Sequence, residues 1–149
     1  MKAKDYKRKL RKEFKTLKCP SILKVFWFDN IFCLDPEYPE VDHAMFASVV
    51  DAQWKRLESQ GLVYTKDKYD CENRGFSLYA RVVEYWALLR NTKLQPPICL
   101  MIGQVDYGFG KTGHAWNGWI DSQGVWIFDQ GSMLKANKAQ NYYPRIGII

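Results

Sequence analysis

This chain lacks the cysteine patterns of a small metal-bound or dithiol domain. Its four cysteines stand at positions 19, 33, 71 and 99 with no Cys-x-x-Cys pair, which excludes a zinc knuckle and a redox motif of that kind. There is no recognisable signal peptide, and the apolar stretch Ile22 to Leu34 is interrupted by Lys24 and Asp29. We therefore expect a cytoplasmic protein with free thiols, no transmembrane segment, no metal and no cofactor.

Most of the chain also lacks net charge. Of the 22 basic and 16 acidic residues, nine basic and two acidic ones lie in residues 1 to 18, which leaves 13 and 14 for the remainder. The formal net charge of +6 is therefore a property of the N-terminal segment. A nucleic-acid-binding face on the core is not expected from this balance.

Residues 1 to 18 are predicted to form a basic amphipathic helix, followed by a single domain over residues 19 to 149. Four apolar residues of this segment recur at helical spacing, namely Tyr6, Leu10, Phe14 and Leu17. Two interpretations remain open. The apolar stripe docks on the body of the protein, or the helix is an arm for phosphate, anionic lipid or an acidic partner.

Two further segments are typical of buried helices. From Val41 to Gln60 apolar residues follow a helical stripe, and Gly61 stands where a left-handed cap would end the helix. Cys71 to about Arg90 is apolar on nearly all faces, which indicates a central helix. We interpret His43 and Gln53 as members of a solvated polar face.

The C-terminal half predicts strands at Ile98 to Val105, His114 to Ile120 and Val125 to Phe128. The segment Asp121 to Gly124 is a suitable hairpin turn between the last two. The glycine-rich run Gly103 to Gly113 is interpreted as a long hairpin connection, because no helix and no Gly-Lys-Ser/Thr sequence follows it.

This hairpin places a carboxylate beside an imidazole. Pairing through the turn sets residues whose numbers sum to about 245 opposite one another. Trp116 then faces Asp129, and Asp129 becomes the diagonal neighbour of His114 on the same sheet face. A carboxylate close to the His114 ring is therefore expected.

The thiol of Cys71 falls in the first turn of the central helix. Exposed backbone N–H groups and the helix dipole there favour an anion, so we expect a lowered thiol pKa. Cys99, within an apolar run, is expected to be inert. A thiol, an imidazole and a carboxylate in the order Cys71, His114, Asp129 are the groups that nucleophilic acyl transfer requires.

Three short pieces of sequence carry a resemblance to a known family. Asp70-Cys71 opens an apolar helix, His114-Ala115-Trp116 opens a strand, and Trp126-x-x-Asp129 closes the next. Together they resemble the transglutaminase-like cysteine protease superfamily, especially its short bacterial and phage branches. The similarity spans about Tyr69 to Gln130. It departs from the family pattern after the last aspartate, where the family often has proline or a small residue.

The resemblance implies an α+β fold with a papain-like, transglutaminase-like core. In it the central helix carrying Cys71 packs on an antiparallel β-sheet carrying His114 and Asp129. It implies a thiol hydrolase, a peptidase or amidase with transglutaminase-type transfer as a variant. Cys71 would be the nucleophile, His114 the general base and acid, and Asp129 the group that orients His114.

Further residues complete this predicted active site for a protein or peptide substrate. The Cys71 backbone N–H is the natural first oxyanion donor, and candidates for the second are Gln104, Trp116 and Tyr64. Aromatic residues that would contact the substrate are Tyr107, Phe109 and Tyr64.

Two other functions remain open. One is a cell-wall amidohydrolase, which also places a cysteine helix before a histidine strand. The other is a non-catalytic binding module of the same fold, of viral or mobile-element origin, that engages an acidic partner through residues 1 to 18.

Overall fold

A computed structural model describes residues 1–15, 30–32, 36–62, 65, 70–90 and 94–149. Three helices span Ala3–Lys15 (α1), His43–Ser59 (α2) and Cys71–Arg90 (α3). Six strands span Asn30–Phe32 (β1), Ile98–Asp106 (β2), Lys111–Asp121 (β3), Gly124–Asp129 (β4), Ser132–Lys135 (β5) and Tyr142–Ile148 (β6). A short 3-10 helix, Ala136–Lys138, lies between β5 and β6.

The helix ends follow local side-chain chemistry. Asp42 caps α2, its carboxylate accepting a hydrogen bond from the Met45 backbone N–H at 2.9 Å. Gly61 follows the helix with a φ of 73°, as its predicted role as a left-handed cap requires. The third helix begins at Cys71.

The strands form one sheet in the order β1-β6-β2-β3-β4-β5, antiparallel except for the parallel pair β1 and β6. The predicted register of the β3–β4 hairpin is confirmed, since Trp119 pairs with Trp126 and Asn117 with Phe128. A two-residue turn, Ser122 and Gln123, joins these strands.

The sheet buries side chains on both faces, because α1 packs on one face and α2 and α3 pack on the other. The face towards α1 includes Tyr6, Leu10, Met101, Trp116 and Ile127. The face towards α2 and α3 includes Phe46, Trp54, Leu78, Trp119 and Phe128. Residues 114 to 121 of β3 are buried throughout, so β3 is the strand around which both layers pack.

Three expectations about local structure are corrected. The run from Gly103 to Gly113 is not a long connection, because β2 and β3 extend into it and leave only residues 107–110 between them. Gln53 is buried rather than solvated. His43 is not part of a solvated face either, because it contacts Asp121 and stacks on Trp126 at 4.0 Å between ring centroids.

Gly103 is required for the close approach of β2 and β6. A β-carbon at this position would lie 2.2 Å from the Tyr143 carbonyl oxygen and 2.7 Å from the Pro144 α-carbon. The β2–β6 register shifts between Ile102 and Gly103, as at a β-bulge. Backbone atoms cannot move aside as a flexible side chain can.

The substitution Gly103→Ala should therefore lower the free energy of unfolding by about 1–3 kcal/mol or more, because the added methyl overpacks the β2–β6 contact. Gly113→Ala is the matched control, since nothing lies within 4 Å of a β-carbon there. It should change stability by less than about 0.5 kcal/mol. Urea unfolding measures both, and equal effects would contradict the proposed crowding.

A buried carboxylate ties α2 to the β3–β4 turn. Asp121 accepts hydrogen bonds from the indole N–H groups of Trp119 at 2.9 Å and Trp126 at 3.1 Å, and from the Gln123 backbone N–H at 2.7 Å. His43 at the start of α2 adds a 2.7 Å contact through Nδ1. The Asp121 side chain has no exposed surface, so these donors replace the water it has lost.

Asp121→Ala should lower the free energy of unfolding by about 3 kcal/mol or more, because it leaves several donors without an acceptor. Asp51→Ala is the control, since Asp51 pairs with Lys55 at 2.7 Å on the surface. Removal of that exposed partner should have little effect. Thermal unfolding of both variants measures the contrast, and a similar loss in each would contradict it.

Candidate functional site

A small cleft lies beside the part of β3 that extends beyond the end of β4. β3 begins at Lys111 but pairs with β4 only from Asn117 onwards, so its earlier residues have no β4 partner. The first turn of α3 occupies this position, and the Cys71 thiol interacts with the Ala115 backbone. The cleft holds about 240 Å³ of empty space, part of it open to solvent. Its walls include Trp54, Cys71, Arg74, Ala115, Trp116, Asn117, Asp129 and Gln130.

His114 and Asp129 form a pair beside this cleft. Nε2 of His114 lies 2.9 Å from both carboxylate oxygens of Asp129. Tyr142 donates its hydroxyl to the same carboxylate at 2.7 Å. Burial, then the hydrogen bond and charge of Asp129, raise the pKa of Tyr142, so this phenol remains a donor. The carboxylate is thus fixed from two sides, and it fixes the His114 ring.

Aromatic rings enclose the same imidazole. Trp116 stacks on His114 with ring centroids 6.0 Å apart, and Tyr107 meets its edge at 6.3 Å. His114 is only 5% exposed. His114 therefore holds the Asp129 carboxylate in place, and Asp129 is the member of the pair that lines the cleft.

The Cys71 thiol differs from the expectation for a helix N-terminus. Burial raises its pKa, and the nearby Glu72 and Asp70 carboxylates raise it further, while the hydrogen bond with the Ala115 backbone acts in the opposite direction. The thiol donates to Oε2 of Glu72 at 3.3 Å. At neutral pH Cys71 is therefore a protonated hydrogen-bond donor in this arrangement, and the predicted lowering of its pKa is corrected.

An exposed aromatic pair stands next to the cleft, on the turn between β2 and β3. Tyr107 is 47% exposed and Phe109 is 86% exposed, and their rings stack at 6.1 Å. Burial raises the pKa of Tyr107, and the charge of Asp129 raises it further. Tyr107 thus links the exposed pair to the groups at the cleft.

The other predicted site residues do not all line the cleft. Trp116 lines the cleft, but it is 1% exposed and packs on Tyr142 as well as on His114. Gln104 is not among the lining residues, and its Oε1 accepts a hydrogen bond from Arg145 at 3.0 Å. Tyr64 lies outside the described residues, as do Cys19 and Cys33.

Several lining residues were missed from the sequence. Arg74 lies over the Trp54 ring at 4.3 Å, which gives the cleft a cationic and aromatic wall. Asn117 holds α3 against β3 by donating to the Gly75 carbonyl at 3.0 Å. Of these residues, only Gln130 could have been found from the sequence, because Gln-Gly after a strand indicates a tight turn. Gln130 has a φ of 47°, and with Gly131 it forms the two-residue turn into β5.

Within the part of the chain that the structure describes, no cluster of three metal-binding side chains is present. None of the helices described is both long and apolar enough to cross a membrane.

No family model and no curated protein matches this chain. It is similar to a solved structure named "PSL1a-E64 complex", with a TM-score of 0.71 and 15% identity over 100% of this chain and 51% of that chain. It is also similar to Polyporus squamosus lectin bound to the human-type influenza-binding epitope Neu5Aca2-6Galb1-4GlcNAc. That match has a TM-score of 0.60 and 16% identity over 80% of this chain and 42% of that chain. The chain thus spans about half the length of the solved chains, and the likeness shows the fold.

These comparisons correct the predicted fold class. The sequence pieces around Cys71, His114 and Asp129 predicted a papain-like, transglutaminase-like core, whereas the described chain has the fold shared with the lectin structure. Its architecture is a six-stranded, largely antiparallel sheet with helices on both faces. Short motifs could not identify that architecture, because each is common and they cover under half of the chain.

The predicted activity is corrected by the same finding. One of the two names is that of a lectin and neither is that of a hydrolase, so the comparisons do not support a cysteine-dependent acyl-transfer enzyme or a thiol protease acting on peptides.

Alkylation of Cys71 tests the state of its thiol. In a Cys19→Ser, Cys33→Ser background, the rate with iodoacetamide should rise only above the ordinary thiol pKa, because burial and the adjacent carboxylates disfavour the thiolate. Glu72→Gln should move the inflection to lower pH, since it removes a group that raises the pKa. Glu84→Gln, exposed on the same helix, should not. An inflection below the ordinary thiol value in the parent would contradict this account.

Proposed function

We propose that this domain is a non-enzymatic carbohydrate-binding module whose ligand site is the cleft at the start of α3 together with the adjacent Tyr107–Phe109 pair. The observation that carries the proposal is the stacked, exposed aromatic pair beside a fixed carboxylate. Sugar rings present apolar C–H faces and hydroxyl edges, so a site for them needs an aromatic surface and fixed polar groups together.

The aromatic surface is Phe109, supported from behind by Tyr107. An isolated aromatic residue on a loop loses conformational freedom when a ligand stacks on it, which weakens binding. The Tyr107 ring lies nearly parallel to Phe109, at 20° between planes, and Tyr107 itself abuts His114. The exposed ring is therefore supported by a chain of contacts that ends in the buried core.

The polar groups are Asp129, Gln130 and the Cys71 thiol. Asp129 is held by His114 and Tyr142, so its carboxylate accepts hydrogen bonds from a defined position. Gln130 on the adjoining turn contributes an amide that donates and accepts. The space of about 240 Å³ in and around the cleft includes open solvent, so a ligand would contact these groups at the mouth of the cleft.

The comparisons support the ligand class. The lectin to which this chain is similar was solved with a sialylated trisaccharide. This chain covers 42% of that lectin chain, so the carbohydrate assignment for this domain is our proposal and rests on the aromatic pair and the carboxylate described above.

A glycan array followed by isothermal titration tests the proposal. At least one neutral or sialylated oligosaccharide should bind, with Neu5Aca2-6Galb1-4GlcNAc as the first probe. Phe109→Ala should weaken binding about tenfold or more, because it removes the stacking surface. Asp129→Asn should weaken it too, because the amide cannot satisfy both Tyr142 and His114 and still accept from the ligand.

Leu88→Ala is the matched control, since Leu88 is 84% exposed and lies on α3. It should leave the affinity unchanged. Absence of binding across the array, or binding that is unaffected by Phe109→Ala, would overturn the assignment of this site.

A further inference from the structure

We propose that the outer face of α1 is a second binding surface, and that its ligand is an anionic polysaccharide carrying sulfate or carboxylate groups. The surface is defined by Lys4, Arg8, Lys9 and Lys12, all exposed, and the 3-10 helix that packs on α1 carries a further exposed cation, Lys138. It is separate from the cleft and does not depend on the function proposed there.

The helix is docked on the protein, so the backbone positions of its charged residues are fixed. Tyr6 and Leu10 are fully buried in the core on the α1 face of the sheet. The Tyr6 hydroxyl donates to the Pro97 carbonyl, and its ring packs on Tyr38 at 5.1 Å. The Ala3 backbone N–H donates to the Pro36 carbonyl at 2.9 Å. The described part of the predicted stripe, Tyr6 and Leu10, therefore docks on the body of the protein, which is the first of the two interpretations that the sequence left open.

The cations form a row on the opposite side of the helix. Lys4, Arg8 and Lys12 are four residues apart, so they lie one above another and point away from the buried stripe. Arg8 pairs with Asp5 at 3.1 Å. Like charges at this spacing destabilise a helix, so the row has a stability cost that a bound polyanion would remove.

The composition of this face favours a polysaccharide over other anionic partners. A membrane-binding helix inserts its apolar residues, but Tyr6 and Leu10 of α1 are already buried against the sheet. A protein partner needs apolar anchors, and the outward side chains named above are all cationic. Single-stranded nucleic acid binds through exposed aromatic residues, and Tyr6 is turned inwards. A row of cations four residues apart suits a chain-like ligand that carries anionic groups at regular intervals.

None of the outward cations of α1 lines the cleft, so the two proposed surfaces do not share a residue. The remainder of the chain is nearly neutral, with 13 basic and 14 acidic residues beyond residue 18, so the cationic surface is localised.

Titration calorimetry with a sulfated heparin oligosaccharide tests this proposal on the full chain. Binding should weaken as salt increases, because the ligand is recognised by charge. Lys4→Gln with Lys12→Gln should lower the affinity about tenfold or more. Glutamine has a helix propensity close to that of lysine, so the fold should be retained, and a thermal unfolding curve checks this.

The control is Lys55→Gln with Arg56→Gln, which removes the same charge from exposed positions on α2. Its affinity should match the parent, and an equal loss would show that only net charge matters and overturn the proposal. Duplex DNA, polyglutamate or phosphatidylserine vesicles that bind as tightly at matched charge would overturn the polysaccharide assignment. Phe109→Ala should leave heparin binding unchanged, which separates this result from failure of the cleft.

Discussion

The register of the β3–β4 hairpin is the constraint on which the rest of the site depends. The two-residue turn after Asp121 fixes it, and the Asp121 carboxylate secures that turn through Gln123 and the neighbouring indoles. A slip of one residue would turn Asp129 to the other face of the sheet. In the observed register Asp129 contacts His114. Because β4 ends there, the first turn of α3 can pack beside the unpaired part of β3.

The two faces of the sheet have different roles because different helices cover them. On one face, α2 and α3 bring Trp54 and Cys71 to the edge where β4 ends. On the other, α1 covers apolar side chains and carries the basic charge outwards. Both proposed binding surfaces therefore follow from how the helices cover the apolar side chains on the two faces of the sheet.

Much of the local structure could be predicted from periodicity and turn chemistry. The bounds of α3, the position of Gly61 and the pairing of β3 with β4 all follow from patterns within a few residues. Glycines were a poorer guide. Gly103 indicated a loop, but it is a strand residue whose missing side chain admits the β6 backbone, and contact with a distant strand has no local signature.

The sequence by itself determined that Cys71 stands at a helix start, that His114 and Asp129 lie on paired strands, and that Asp129 ends its strand. It could not determine what those groups do, because function depends on their surroundings. The tertiary structure decided that Cys71 is desolvated beside carboxylates, which keeps its thiol protonated, and that Tyr142 from a distant strand fixes Asp129. It also decided that Arg74 and Trp54 face the cleft. Burial and long-range contacts set these properties, and neither is encoded in a short motif.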